Sequence, residues 1–433
     1  MTGINGLLAL RIVGRATVML FVNPMLYVVT VLLLIDLWRN VRVERKIFGV
    51  RITRIWKPYV FRQLRSIIVG LVASVLSLAL GIQVHQMDIV GITGLTFLLG
   101  LVRMRWMATP FVLSIYVILV GGLQILGLLV IVPYAPIQQL GASIHVSSLL
   151  ALAGVAWLAQ AALLFWDRRE GTAPALFASR RGKVVGAYKL QLGFIVPVVM
   201  WTHGGYHLPH APLWWPPIDS FLPSAALSAM PLFLGVHAIS TDLLANRPRK
   251  MVSRISILLA ILTIVGSLVG HDIAAGYCLL FAVVTIVVWE LVLGVLRYRE
   301  LTEEPLCVPR EIGVVVLYTI KNSLSERLGI LPGEVITHVN SVPIHSEYDL
   351  HFAVDQNPAY ARLQVLDRRG EIRLTGNPVY EGEKHQLGVI PLPQSTTVTG
   401  FKKIRIGFLQ TLYGGSMNTS SVRPEEPETS TAF

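Results

Sequence analysis

Hydrophobic runs about 20 residues long, separated by short polar stretches, dominate the first 300 positions, and a run of that length is what a membrane-crossing helix needs. Seven stand out: Ala16–Trp38, Ser66–Val84, Thr109–Val132, Val146–Trp166, Leu222–Leu244, Val252–Gly270 and Ile273–Leu296. Two shorter ones, Ile89–Val102 and Val184–Trp201, read as tilted spans or re-entrant segments. The pattern predicts an α-helical polytopic membrane domain of eight or nine transmembrane helices over 1–299. Nine follow if the chain enters at Ala16. Eight complete spans follow if Ile4–Phe21 lies flat and the chain re-enters at Asn23-Pro24.

Charge orders these spans. Basic residues cluster at Arg39–Arg65, at Arg103 and Arg105, at Arg168–Lys183, at Arg247–Arg254, and at Arg297 and Arg299. The intervening loops His85–Asp88, Pro133–Ile144, Thr202–Phe221 and Gly270–Asp272 hold no Lys or Arg. Alternation of this kind puts the basic loops in the cytoplasm, together with everything after Leu296. Arg11 and Arg15 are discordant with nine spans.

Composition agrees with the pattern. Of 433 residues, 53% are hydrophobic and 14% charged, where a soluble domain carries about 25% charged. Residues 1–296 hold 23 Lys and Arg against 9 Asp and Glu, and the remainder 14 against 16. The basic excess therefore lies in the membrane half, where it orients the chain against anionic lipid, and nothing points to nucleic acid. Cys278 and Cys307 cannot form a disulfide framework.

Candidate chemistry in the spans is sparse. Glu290 reads as one partner of an ion pair near the cytoplasmic face, with Arg254 as the candidate cation. His237, Asp242, Gln124 and Gln160 read as interhelical hydrogen-bonders. His203, His207 and His210 lie in a Trp- and Pro-rich outer loop that suits an interfacial belt better than a metal site. Phosphate-loop, metalloprotease and nucleophile-elbow motifs are absent, so no enzyme, metal or cofactor is expected.

After a charged, proline-bearing linker (300–309) the period changes. Ile312–Ile320 is strand-like, Ser323–Gly329 a short helical turn, and Glu334–Asn340 a strand. Ser346–Asn357 reads as a helix opened by a Ser346/Asp349 capping box. Tyr360–Asp367 and Glu371–Thr375 form a hairpin, and Gln386–Leu392 one more strand. This order, with SLSERLGILPGEVITHVNSVPIHSEYDL, resembles a bacterial PDZ domain over 310–394. The resemblance implies a small α+β fold, a partly open β-sandwich with two helices, that takes peptide C-termini by strand addition. Leu350, Ala353 and Val354 would form the groove wall, opposed by an edge at Val314, Val315, Val316 and Leu317. Two glycine stretches compete as the carboxylate loop: one ends at Ile312-Gly313, the other is Gln386-Leu387-Gly388-Val389.

Phe401–Tyr413, within a basic-apolar extension (395–413), reads as a membrane-surface segment or an extra strand, and 414–433 as a disordered tail. The terminal Thr431-Ala432-Phe433 matches the peptide type such domains bind, which suggests self-association.

The N-terminal MLFVNPMLYVVTVLLLIDLWRNVRVERKIFGVRI, followed by several spans and one C-terminal PDZ-like module, resembles the MinJ family of division-site determinants. That resemblance implies a non-enzymatic membrane adaptor at septa and poles, linking a DivIVA-like scaffold to a MinD-like ATPase and MinC. A transport or protease-associated protein with a regulatory PDZ domain is the other reading.

Overall fold

The computed structural model describes residues 6–49, 52, 56–102, 104–127, 145–167, 172–178, 184–206, 225–241, 246–272, 274–302, 305–357, 359–380 and 387–393. The loop 207–224 with His207 and His210, Asp242, the extension 395–413 and Thr431-Ala432-Phe433 lie outside them.

Helices open the chain: α1 (Gly6–Val22), α2 (Pro24–Phe48), α3 (Trp56–Leu80), α4 (Gln86–Val102), α5 (Thr109–Ile125) and α6 (Val146–Trp166). Strands β1 (Thr172–Ala178), β2 (Val184–Tyr206) and β3 (Ala225–Ser240) follow, then helices α7 (Asn246–Asp272) and α8 (Ala275–Thr302). Five of these helices, α2, α3, α6, α7 and α8, are long and apolar enough to cross a membrane. The first apolar run is broken at Asn23-Pro24: the Asn23 side chain accepts from the Met25 N–H at 2.9 Å and Pro24 opens α2, the usual chemistry of a helix start.

Two expected spans are not helices. Val184–Trp201 and the middle of Leu222–Leu244 form β2 and β3, an antiparallel pair in register from Tyr188↔Ser240 to His203↔Ala225. Pro197 and Pro231 face each other across the ladder, as do Gly193 and Gly235. Each proline would break a helix at mid-span, whereas in this pair neither needs an N–H.

A strand pair among apolar helices must have its outer edges satisfied, because lipid offers no partner. Helix α3 seals one side. Gln63 Oε1 accepts from Ile195 N at 3.1 Å, Ser74 Oγ accepts from Val199 N at 2.9 Å, and Trp201 Nε1 donates to Leu78 O at 3.1 Å. Between them Pro197 has no donor to satisfy, and Gly70 lets the backbones meet: a Cβ there would lie 2.5 Å from Pro197 O. On the other side Thr109 Oγ1, at the start of α5, accepts from Phe233 N at 2.7 Å. The core is continuous across helices and hairpin, with Trp157, Phe194, Leu150 and Leu232 fully enclosed.

The C-terminal part is sheet-rich: β4 (Val314–Thr319), helical turn α9 (Leu324–Arg327), β5 (Val335–Val339), β6 (Val342–Pro343), α10 (Glu347–Asp355), β7 (Tyr360–Leu366), β8 (Ile372–Pro378) and β9 (Val389–Pro391). The strands run β8-β7-β5-β4-β9, with β6 paired to β5. The Ser346/Asp349 capping box opens α10 as its spacing predicts. Its buried Leu350, Ala353 and Val354 pack with Val316, Ile336 and Leu363 in one core.

Candidate functional site

Strand β9 is the candidate site. It ends the sheet, and among the described residues no strand flanks its outer side. Leu392 N–H and Gly388 C=O bond inward to β4, through Val315 O at 2.9 Å and Ile320 N at 2.8 Å. Strand alternation therefore turns the Val389 N–H and C=O outward, with Pro391 offering only a carbonyl. The edge is short and ends at a proline, which limits indiscriminate pairing.

Leu387-Gly388 enters this edge in a built turn. Gly388 has φ +75°, and a Cβ there would lie 2.2 Å from Ser323 Cβ, so both conformation and space require glycine. Ser325 holds the turn twice: its N–H donates to Leu387 O at 2.9 Å and its hydroxyl to Gly388 O at 3.0 Å. Leu387 is buried in the core that includes Leu350 and Val354, and Val389 packs against the same cluster. Gln386 lies outside the described residues.

The expected opposing edge is not an edge. Val314 and Val315 pair with Ile336 and Val335 of β5, and Val316 pairs with Pro391 of β9. Val314–Leu317 is buried, as a strand bonded on both sides should be. Gly313, with φ +78°, presses on Ile336 O, 2.6 Å from where its Cβ would be, so it serves close packing onto β5. Ile312 is exposed. Leu350, Ala353 and Val354 are each at most 4% exposed; they fasten α10 to the sheet.

The other face of this domain is seated on the β1–β2 ribbon. Gly186 N donates to Cys307 O at 2.9 Å, Leu306 N to Thr241 O at 3.3 Å, and the Tyr188 hydroxyl to Leu317 O at 2.7 Å. Leu176, Cys307, Val315, Leu317, Val335 and Leu392 form a common core, against which Ile47 and Phe48 at the end of α2 pack. Burial pushes the Cys307 thiol and the Tyr318 hydroxyl above their ordinary pKa values. This seat is invisible in the sequence, since β1 and the N-terminal end of β2 carry no motif.

Two of the polar groups expected among the helices have structural partners. Glu290 pairs with Arg105 at 2.6 Å and accepts from Trp106 Nε1 at 3.3 Å. The ion pair was expected, but its cation comes from the turn before α5 rather than from Arg254. Gln160 donates to Ser256 Oγ at 3.3 Å across α6 and α7, and Gln124 is exposed. Among the described residues no group of three His, Cys, Asp or Glu is placed to hold a metal ion.

No family model matches the chain. Curated proteins do. It is 26% identical over 375 residues to the cell division topological determinant MinJ of Bacillus subtilis (strain 168), covering 86% of this chain and 92% of that protein. The chain is thus similar to a cell division determinant over most of its length. It is also 24% identical over 333 residues to the probable MinJ of Lacticaseibacillus paracasei and to that of Lacticaseibacillus casei (strain BD-II), covering 76% of this chain and 85% of each. A match over 375 of 433 residues is longer than the 1–299 membrane part, so the similarity to the Bacillus subtilis protein is not confined to one module.

Proposed function

We propose that the protein is a non-enzymatic, multi-pass membrane adaptor of division-site selection, whose C-terminal PDZ-like domain recruits partners at the cytoplasmic face. The similarity to division determinants over 86% of the chain carries this reading. Basic loops support the orientation. The Arg39–Arg65 cluster runs from the last turns of α2, whose Ile47 and Phe48 pack against the C-terminal domain, to the first turns of α3, and positive charge marks the cytoplasmic side. Reading β2 and β3 as one crossing each keeps this alternation.

Recruitment is by strand addition to β9, with the Leu387-Gly388 turn receiving a carboxylate. The partners are a DivIVA-like scaffold and a MinD-like ATPase with MinC. The test is live-cell imaging of a C-terminal fluorescent fusion in the native host, comparing the intact chain, a 310–392 deletion and Val389→Pro. That last change removes the outward N–H and no bond to β4. Septal and polar enrichment lost in both variants is the expected result. Uniform membrane signal from the intact chain would refute the division role. Enrichment that survives Val389→Pro would refute the edge.

A further inference from the structure

Where α6 ends, three arginines surround one aspartate, two at its carboxylate and one at its main-chain carbonyl. Asp167 is 1% exposed. Arg62 Nε lies 3.6 Å from its Oδ2, and Arg65, one turn further along α3, places a guanidinium nitrogen 3.4 Å from Oδ1. Arg249, in the first turn of α7 and 4% exposed, donates through Nη1 to the Asp167 main-chain carbonyl at 2.6 Å. Its remaining edge, Nε with Nη2, is buried without any hydrogen-bond partner. Those two donors are the parallel pair of a guanidinium that grips an oxyanion side-on.

A buried guanidinium edge left without an acceptor is unfavourable. The neighbouring polar group is already engaged, since Ser253 Oγ donates to Ala161 O at 3.0 Å. What the Arg249 fork lacks is an oxyanion whose two oxygens face its Nε and Nη2.

We propose that this arginine cluster, where α3, α6 and α7 meet, binds a phosphate group, with Arg249 as its bidentate ligand and Arg65, the most exposed of the three, on its solvent side. Its surroundings suit a membrane surface: α6 ends in exposed Phe165 and Trp166, and Lys250 and Arg254 on α7 are exposed. Phosphate chemistry has two sources at such a place, the headgroup of an anionic phospholipid and free inorganic phosphate.

The test uses the full chain in phosphatidylcholine nanodiscs. One arm adds phosphatidylglycerol to the bilayer and the other adds inorganic phosphate to the buffer. The thermal unfolding midpoint reads binding, and native mass spectrometry reads retained lipid. A saturable rise in midpoint is expected for the intact chain. Arg249→Lys keeps the charge but loses the fork, and should weaken the response about 10- to 100-fold, the range for hydrogen bonds to a charged group. Arg42→Gln, Arg45→Gln and Lys46→Gln together should leave it unchanged, which separates the cluster from general attraction to anionic lipid. A response to phosphatidylglycerol alone assigns the headgroup; a response to both assigns any phosphate. No saturable response in either arm, or Arg249→Lys behaving as the intact chain, overturns the proposal.

Discussion

Ser74→Ala probes the sealed edge of the hairpin most directly. The Ser74 hydroxyl donates to Gly70 O at 2.7 Å and accepts the Val199 N–H at 2.9 Å. Alanine leaves that strand N–H with no partner in an apolar interior, a loss of about 1–3 kcal/mol, or roughly a 5- to 150-fold shift in the unfolding equilibrium. Ser66, on the same helix, is also fully buried, but its hydroxyl bonds only to Arg62 O of its own helix at 3.0 Å. Ser66→Ala removes the same atom and orphans no strand donor, so its cost should stay below about 0.5 kcal/mol. Reversible unfolding in mixed micelles, followed by tryptophan fluorescence, measures both. Equal costs for the two variants would refute the idea that α3 side chains substitute for a missing neighbour strand.

Gly70→Ala should destabilise by about 1–3 kcal/mol in the same assay, because its Cβ meets backbone and not a movable side chain. Tyr188→Phe removes the bond to Leu317 O and should speed maleimide labelling of the buried, free Cys307, read by mass shift over time; unchanged labelling would show that the seat does not depend on that hydroxyl. Ser346→Ala should lower stability by about 1 kcal/mol through the lost cap, measured by the unfolding midpoint. Asp349 in that cap is held below the usual carboxylate range by the His345 and Ser346 N–H groups, so its stabilisation is present above the ordinary pKa and disappears as pH falls below about 4. An α10 signal in hydrogen exchange that does not weaken at acid pH would contradict this. Glu290→Gln should cost under about 1 kcal/mol, since both partners of its pair are about one-third exposed.

Much of the fold could be read from the chain because helices announce themselves locally. The Ser346/Asp349 spacing and the Asn23-Pro24 break place helix starts by side-chain chemistry within a few residues. The β2–β3 hairpin could not be read as readily, because a continuous apolar run has no period to separate strand from buried helix. Pro197, Pro231, Gly193 and Gly235 were the available signal: two breakers inside each run argue against a helix. The candidate site was half legible. Gly388 was one of two competing glycines, and only the order of strands separates them, by enclosing β4 and leaving β9 outermost. Which strand is outermost is a property of the whole sheet, and no window of sequence contains it.

The seat on the β1–β2 ribbon also fixes the question of reach. Gly186, Tyr188 and Leu176 hold the C-terminal domain by its own β4 and by Cys307, so its position does not depend on the length of the connection after α8. Lengthening that connection would give the domain no greater radius of search while the contacts persist. A partner's tail must therefore supply all the slack, and its distance from the membrane is bounded by how far that tail can stretch to β9.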